Sequence, residues 1–348
     1  MKMQDRATLD STQWALMGEQ HSGVDSAQAA GAAGASGVIA RSAAQVIRPT
    51  PFAQWQFASA QEPTQDQEAP IQQRGPKKMA SAVDTEHPAN RVKSRSIMIV
   101  GAGSAIAQAA CETLAEGGKN LFLVVRRSSD AQDFLRDLRA RAPVGSRIEM
   151  FQADYLGLDA PESAFDEAED LLGPIDGLLV AFGYMPDENV CRQDPSVARE
   201  VVDANFGAPV RWLNAGAARM QSAIESGEIE GGFLAAISSV AGFRPRASLS
   251  LYASSKAGLS GFMEAMAGRL AETGIRVVDL RPGPTASKMT AHLAGKRRLA
   301  DPRQLAPGLV SALGGKGPWA AVYLPGAWRW IALALKFVPF SIFRRLPI

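Results

Sequence analysis

The hydrophobic pattern divides the chain into two textures that meet near Ser96. Beyond that point, short continuous apolar runs alternate with stretches of helical period. Ile97-Met98-Ile99-Val100 reads as a buried parallel strand that ends on Gly101. Ala105 to Glu116 carries the 3.6-residue spacing of a helix. Further strands are predicted at Leu121 to Val125, Ile148 to Phe151, Leu178 to Ala181, Phe233 to Ile237, Ile275 to Leu280 and Ala321 to Leu324. Helices are predicted at Ala131 to Arg141, Glu162 to Leu172, Val197 to Met220 and Ser250 to Thr273. This alternation predicts an α/β fold, a Rossmann-type doubly wound parallel sheet forming a single domain over residues 96–325.

Residues 1–95 are different. They are rich in Ala, Gln, Ser, Gly and Pro, with no sustained hydrophobic period. Such a segment buries too little apolar surface to offset its ordering entropy, so a disordered low-complexity extension is expected. No basic start with a compact apolar run is present near Met1, so a signal peptide is not expected. Met79 is a second candidate start.

Composition narrows the chemistry. Two cysteines, Cys111 and Cys191, exclude a disulfide framework. Three histidines, His21, His87 and His292, argue against a His-rich metal site and leave few candidates for a Ser-His-Asp triad. No metal is expected.

Directly after the first strand comes Gly101-Ala102-Gly103-Ser104-Ala105-Ile106-Ala107. Small residues at a strand-to-helix turn let backbone N–H groups approach a pyrophosphate, whose charge the helix N-terminus favours. The glycine spacing is incomplete, because Ala105 and Ala107 stand where glycines would complete it. The second strand runs into Arg126-Arg127, with no acid before Asp130. An acid there would suit the ribose of NAD; a guanidinium suits the 2′-phosphate of NADP. The alternative is a solvated loop arginine. Asp154, past the third strand, either meets the adenine edge or caps the next turn.

The most specific signal is Tyr252-Ala253-Ser254-Ser255-Lys256. Tyr252 and Lys256 are four apart and share a helix face. A lysine ammonium beside the phenol is expected to lower the phenol's pKa and make it a proton donor and acceptor. Ser239 lies thirteen residues earlier, just past a strand end at the sheet's carboxyl edge. Its neighbour Ser238 is the rival, and spacing favours Ser239. Asn205 sits upstream on a helix, and Arg281-Pro282-Gly283-Pro284 closes the sixth strand.

Together these residues resemble the short-chain dehydrogenase/reductase superfamily, over roughly Ser96 to Leu324. The resemblance implies that Tyr252 is the acid/base and that Ser239 orients the carbonyl. It implies that Lys256 also holds the nicotinamide ribose, while Asn205 anchors a water in the proton relay. Cofactor contacts then fall on Gly101, Gly103, Ser104, Ala105, Ile106, Arg126, Arg127, Asp154, Ala181, Gly183, Tyr252, Lys256, Pro282, Gly283 and Ser287. Val180-Ala181-Phe182-Gly183 departs from the family's usual Asn-Asn-Ala-Gly. A homo-oligomer is the family habit.

After the last strand comes Trp328-Arg329-Trp330, then Ile331 to Leu335, and Phe343-Arg344-Arg345-Leu346. The apolar run is too short to span a bilayer. Aromatic and basic residues suit an amphipathic helix lying in a membrane interface, divided at Pro339. Packing back on the domain and an oligomer contact are the competing readings. The overall charge of +2 hides an asymmetry. From Arg276 onward the chain carries +10, and the preceding 275 residues carry −8. An anionic surface or phosphate-bearing substrate is therefore expected at the C-terminal end, with no nucleic acid partner.

The tail and turn also resemble the decaprenylphosphoryl 2-keto-erythropentose reductase-like subgroup and relatives in bacterial polysaccharide clusters. That implies an NADPH-dependent reductase acting on a keto-sugar held on polyprenyl phosphate, at the inner face of the cell membrane. A basic lip of Met289 to Leu293 with Lys296, Arg297 and Arg298 would face the phosphate. The alternatives are a soluble carbonyl or 3-oxoacyl reductase and a non-catalytic nucleotide-binding scaffold.

Overall fold

In the computed structural model, the described residues are 87–345, apart from 94, 294, 296 and 297. The expectations for residues 1–86, and for Lys296 and Arg297 in the basic lip, lie outside them.

Strand β1 (Ser96–Val100) leads through a tight turn into α1 (Ala105–Glu116), and Ser104 caps that helix by accepting the Ala107 N–H. There follow β2 (Asn120–Val125), α2 (Gln132–Arg141), β3 (Ile148–Gln152), α3 (Ala160–Leu172) and β4 (Gly177–Val180). The predicted helix at Val197 to Met220 is longer and interrupted. A short α4 (Glu188–Gln193) precedes α5 (Pro195–Val202), a π-turn spans Asp203–Gly207, and α6 (Ala208–Glu225) continues from it. Then come β5 (Gly232–Ile237), α7 (Ser250–Arg269) and β6 (Ile275–Pro282). An unpredicted α8 (Pro302–Leu313) precedes β7 (Trp319–Leu324). Pro307 inside α8 reads as a breaker in sequence. The helix forms because Asp301 caps it, Pro302 occupies its first turn, and Leu305, Leu309, Val310 and Leu313 are buried.

The seven strands among the described residues are parallel, in the order β3-β2-β1-β4-β5-β6-β7. Strand side chains alternate between two cores. Ile97, Ile99, Leu121, Leu123 and Leu179 face α1, α2 and α8, while Met98, Val100, Phe122, Val124 and Leu178 face α3, α6 and α7. Burial on both faces explains why the strands read as unbroken apolar runs. The strand order reverses between β1 and β4, which opens a crevice at their carboxyl ends.

The two ends of the described chain both pack on this core. A 3₁₀ turn at Pro88–Arg91 buries Ala89 and Val92 against the core of β1, α1 and α8. The described structure thus includes residues 87–93 of the stretch 1–95, packed on the domain. At the other end the tail forms α9 (Trp328–Phe337) and α10 (Phe340–Phe343), divided at Pro339. Ala332 and Phe343 are buried, so the tail packs on the domain by one face. No helix among the described residues is long and apolar enough to cross a membrane.

Candidate active site

The crevice begins at the first turn. Gly101 has φ +86°, a left-handed conformation that favours glycine, and a Cβ there would lie 2.8 Å from the Phe182 Cβ. At Gly103 a Cβ would meet nothing within 4 Å, so this backbone borders open space at the α1 N-terminus. That cradle fits a dinucleotide's pyrophosphate. Ala105 and Ile106 form the first turn of α1, half-buried. At the end of β2, Arg126 and Arg127 are exposed. Arg127 is committed to Asp130 at 2.9 Å. Arg126 stands beside Tyr155, whose ring stacks on Phe182 at 4.9 Å between centroids. Asp154 caps its own turn, accepting the Leu156 N–H at 3.2 Å, and its side chain is exposed.

Past β4, Ala181 is buried and its N–H donates to the Val100 carbonyl at 2.8 Å. Gly183 is the closest packing point of the site. A Cβ there would sit 2.7 Å from Asn205 Oδ1 and 3.3 Å from Lys256 Nζ. Asn205 is fully buried in the π-turn. Its Oδ1 accepts the Tyr184 N–H at 3.1 Å, and its Nδ2 donates to the carbonyls of Tyr184 at 2.6 Å and Val201 at 2.8 Å. Its side chain therefore fixes the loop after β4. Four residues on, Pro209 has no N–H to send to the Asn205 carbonyl, which suits a break in α-helical bonding here.

Ser239 and Ser238 have separate partners. Ser238 is buried, and its Oγ donates to the Asp279 carboxylate. Ser239 caps the turn Val240–Phe243, accepts the Ala241 N–H at 3.1 Å, and hydrogen-bonds the Tyr252 side chain. The geometry joins Ser239, and not Ser238, to Tyr252.

The expected effect of Lys256 on Tyr252 is corrected. Burial pushes the Tyr252 phenol above its ordinary value of 10, and its hydrogen bond with Ser239 offsets only part of that. Lys256, 3% exposed, donates its ammonium to the Ile237 carbonyl at 2.8 Å instead. Burial drives Lys256 down to about 8, against the opposing charge of Asp279. Tyr252 is therefore a neutral phenol at pH 7, a proton donor in its resting state.

Pro282 ends β6 and Gly283 follows it, both buried. Ser287 lies in the following turn, its Oγ 3.0 Å from Thr290 Oγ1. Sequence reasoning missed the tail's contact with this turn. The Trp328 indole covers Gly283, where a Cβ would lie 2.0 Å from its Nε1. Arg244, five residues past Ser239, donates to the Leu335 carbonyl and lies 4.1 Å from the Phe343 ring centroid. No spacing rule flags either pair, because each joins segments roughly 45 to 100 residues apart in the chain.

A doubly wound sheet with a serine, tyrosine and lysine at its carboxyl edge is the architecture of a nucleotide-dependent oxidoreductase. The sequence profile of the short chain dehydrogenase family matches residues 95–298. The chain is 32% identical over 252 residues to an uncharacterized oxidoreductase of Mycobacterium tuberculosis, covering 72% of this chain and 96% of that protein. An uncharacterized oxidoreductase of Streptomyces coelicolor is 31% identical, with 73% and 96% covered. Among solved structures, a short-chain type dehydrogenase/reductase from Mycobacterium ulcerans superposes with a TM-score of 0.61 at 19% identity, covering 73% of this chain and 99% of that one. The actinorhodin polyketide ketoreductase with NADPH gives 0.59 at 20%, covering 68% and 97%. The chain belongs to the short-chain dehydrogenase/reductase family and is an oxidoreductase of that family. Members of the family bind NAD or NADP.

Proposed function

We propose that this protein is an NADPH-dependent reductase of a ketone on a membrane-held glycolipid, a keto-sugar on polyprenyl phosphate being the type substrate. One observation carries the reading. The tail that packs on the site's rim exposes an apolar and basic face to solvent. Phe337 and Phe340 are 76% and 74% exposed, beside exposed Trp330, Ile331, Leu333 and Ile342. Arg329, Lys336, Arg344 and Arg345 are interleaved with them. Near an anionic leaflet each cation is worth about 1 kcal/mol, added to the burial of the aromatic rings.

The cofactor's residues would be Gly101 to Ile106 for the pyrophosphate, Arg126 for the 2′-phosphate, and Lys256 with the Pro282-Gly283 turn and Ser287 for the nicotinamide end. Bound NADPH supplies hydride to a carbonyl carbon. Tyr252 donates its phenolic proton to the carbonyl oxygen, which Ser239 holds in place. Lys256 lies one helical turn on, its ammonium held by the Ile237 carbonyl, and Asn205 fixes the loop after β4 through Tyr184.

A soluble carbonyl or 3-oxoacyl reductase is the second reading. It is favoured by the likeness in fold to a 3-oxoacyl-[acyl-carrier protein] reductase from Brucella melitensis, at 22% identity and a TM-score of 0.58.

Two measurements separate them. Full-length protein should sediment with phosphatidylglycerol vesicles, and a Phe337→Glu/Phe340→Glu variant should stay in solution; equal binding removes the membrane part. In parallel, membrane lipid extract should drive oxidation of NADPH faster than NADH. Undiminished turnover of small soluble ketones by the variant, with none on lipid, supports the second reading.

A further inference from the structure

Glu188 is a buried carboxylate with no part in the proposed reduction. It opens α4, behind the cap Asp187, whose side chain accepts the Asn189 N–H at 2.7 Å. Its own carboxylate reaches away from α4 to the first turn of α7. One oxygen accepts the Ser250 hydroxyl, and the other accepts the Leu251 N–H at 3.4 Å. Tyr252 is the next residue.

Helix α7 needs such a partner. The first N–H groups of a helix have no acceptor within it, and a short polar side chain just before the first turn ordinarily supplies one. Here that position holds Leu249, whose side chain makes no capping bond. Glu188 does from another element what a local cap does elsewhere.

We propose that Glu188 is a positioning residue for Tyr252: as a remote cap it fixes the turn of α7 that presents the phenol, and it ties that turn to the loop after β4. The loop is anchored at its other end by Asn205, through both backbone groups of Tyr184, four residues before Glu188. Gly183, directly before Tyr184, lies so close to α7 that a Cβ there would stand 3.3 Å from Lys256 Nζ. The loop and the start of α4 therefore meet α7 on both sides of Tyr252, at Lys256 through Gly183 and at Ser250 and Leu251 through Glu188.

The competing reading is plain cohesion between α4 and α7, in which Tyr252 sits the same without Glu188. The role rests on Tyr252 as the proton donor and not on which ketone is reduced. One arm of the test therefore uses neither substrate nor cofactor.

The experiment is NMR of full-length protein carrying tyrosine labelled with ¹³C at Cζ. The chain has four tyrosines, Tyr155, Tyr184, Tyr252 and Tyr323, and the Tyr252 signal is the one missing from Tyr252→Phe. In Glu188→Ala the Tyr252 signal should shift or broaden while those of Tyr155 and Tyr323 keep their places. Glu188→Gln, which can still bond both Ser250 and Leu251, should restore it. A small displacement of a reacting group is costly, so Glu188→Ala should lose about tenfold or more in kcat for NADPH oxidation, with KM for NADPH within about twofold. An unmoved Tyr252 signal in folded Glu188→Ala, equal movement of Tyr155 and Tyr323, no rescue by Glu188→Gln, or an unchanged kcat overturns the proposal. If wild type oxidises NADPH on neither ketones nor lipid extract, that failure falls on the proposed reduction, and the Tyr252 signal decides alone. If Glu188→Ala does not fold, Ser250→Ala takes its place, with the carboxylate kept and one contact removed: a moved Tyr252 signal supports, an unmoved one overturns.

Discussion

The Trp328 indole lies over Gly283 so closely that a Cβ at that glycine would stand 2.0 Å from its Nε1. The first residue of the tail helix thus seals the turn at the end of β6, and the glycine's bare face is what admits it. Gly283→Ala should destabilise the protein by about 1–3 kcal/mol through overpacking, because a ring anchored at a helix start has little room to retreat. Combined with Trp328→Ala the penalty should shrink by at least about 1 kcal/mol, measured by denaturant unfolding as a double-mutant cycle. Additive losses would show that the two do not share a contact.

Arg126 should discriminate between the two nicotinamide cofactors. It stands at the end of β2, where Arg127 is already held by Asp130. Charge-assisted bonds are worth about 1.5–3 kcal/mol, so Arg126→Ala should weaken NADPH binding tenfold or more and leave NADH within about twofold. Calorimetric titration of both cofactors reads this directly. An equal loss for both would remove the 2′-phosphate role.

Lys256 should make stability rise with pH. Burial lowers its folded value from 10.5 to about 8. Below 8 both folded and unfolded chains hold the proton, and the cost of the buried cation is present in full. Between 8 and 10.5 the unfolded chain holds a proton that the folded chain has released, so stability increases through that window. Relative to Lys256→Met, wild type should gain on the order of 1–3 kcal/mol from pH 8 to pH 10.5. Parallel stability curves for the two would contradict it.

Much of this was readable from the chain alone, for physical reasons. Strands buried on both faces, such as Ile97 to Val100, announce themselves as apolar runs, and the fold class follows from their alternation with helices. Ser239, Tyr252 and Lys256 lie within eighteen residues, so helical geometry and a strand end suffice to relate them. What was hidden depends on distant pairing. The Asp279 side chain is disguised in a mostly apolar strand, and its partner Ser238 comes from just past the end of the neighbouring strand. Trp328 and Arg244 meet their partners only after the tail folds back. The elevation of the Tyr252 phenol was also illegible, because sequence spacing shows the nearby lysine and not the burial that outweighs it.

The central claim is that Tyr252 supplies the proton when hydride reaches a carbonyl. Its most direct measurement is NADPH oxidation by the full-length protein on membrane lipid extract, wild type against Tyr252→Phe, with cofactor affinity measured alongside. Removal of a positioned general acid costs about 10²–10⁴ in rate. Tyr252→Phe should therefore lose at least a hundredfold in turnover while binding NADPH within about threefold of wild type. Turnover at the wild-type rate in Tyr252→Phe would contradict the account.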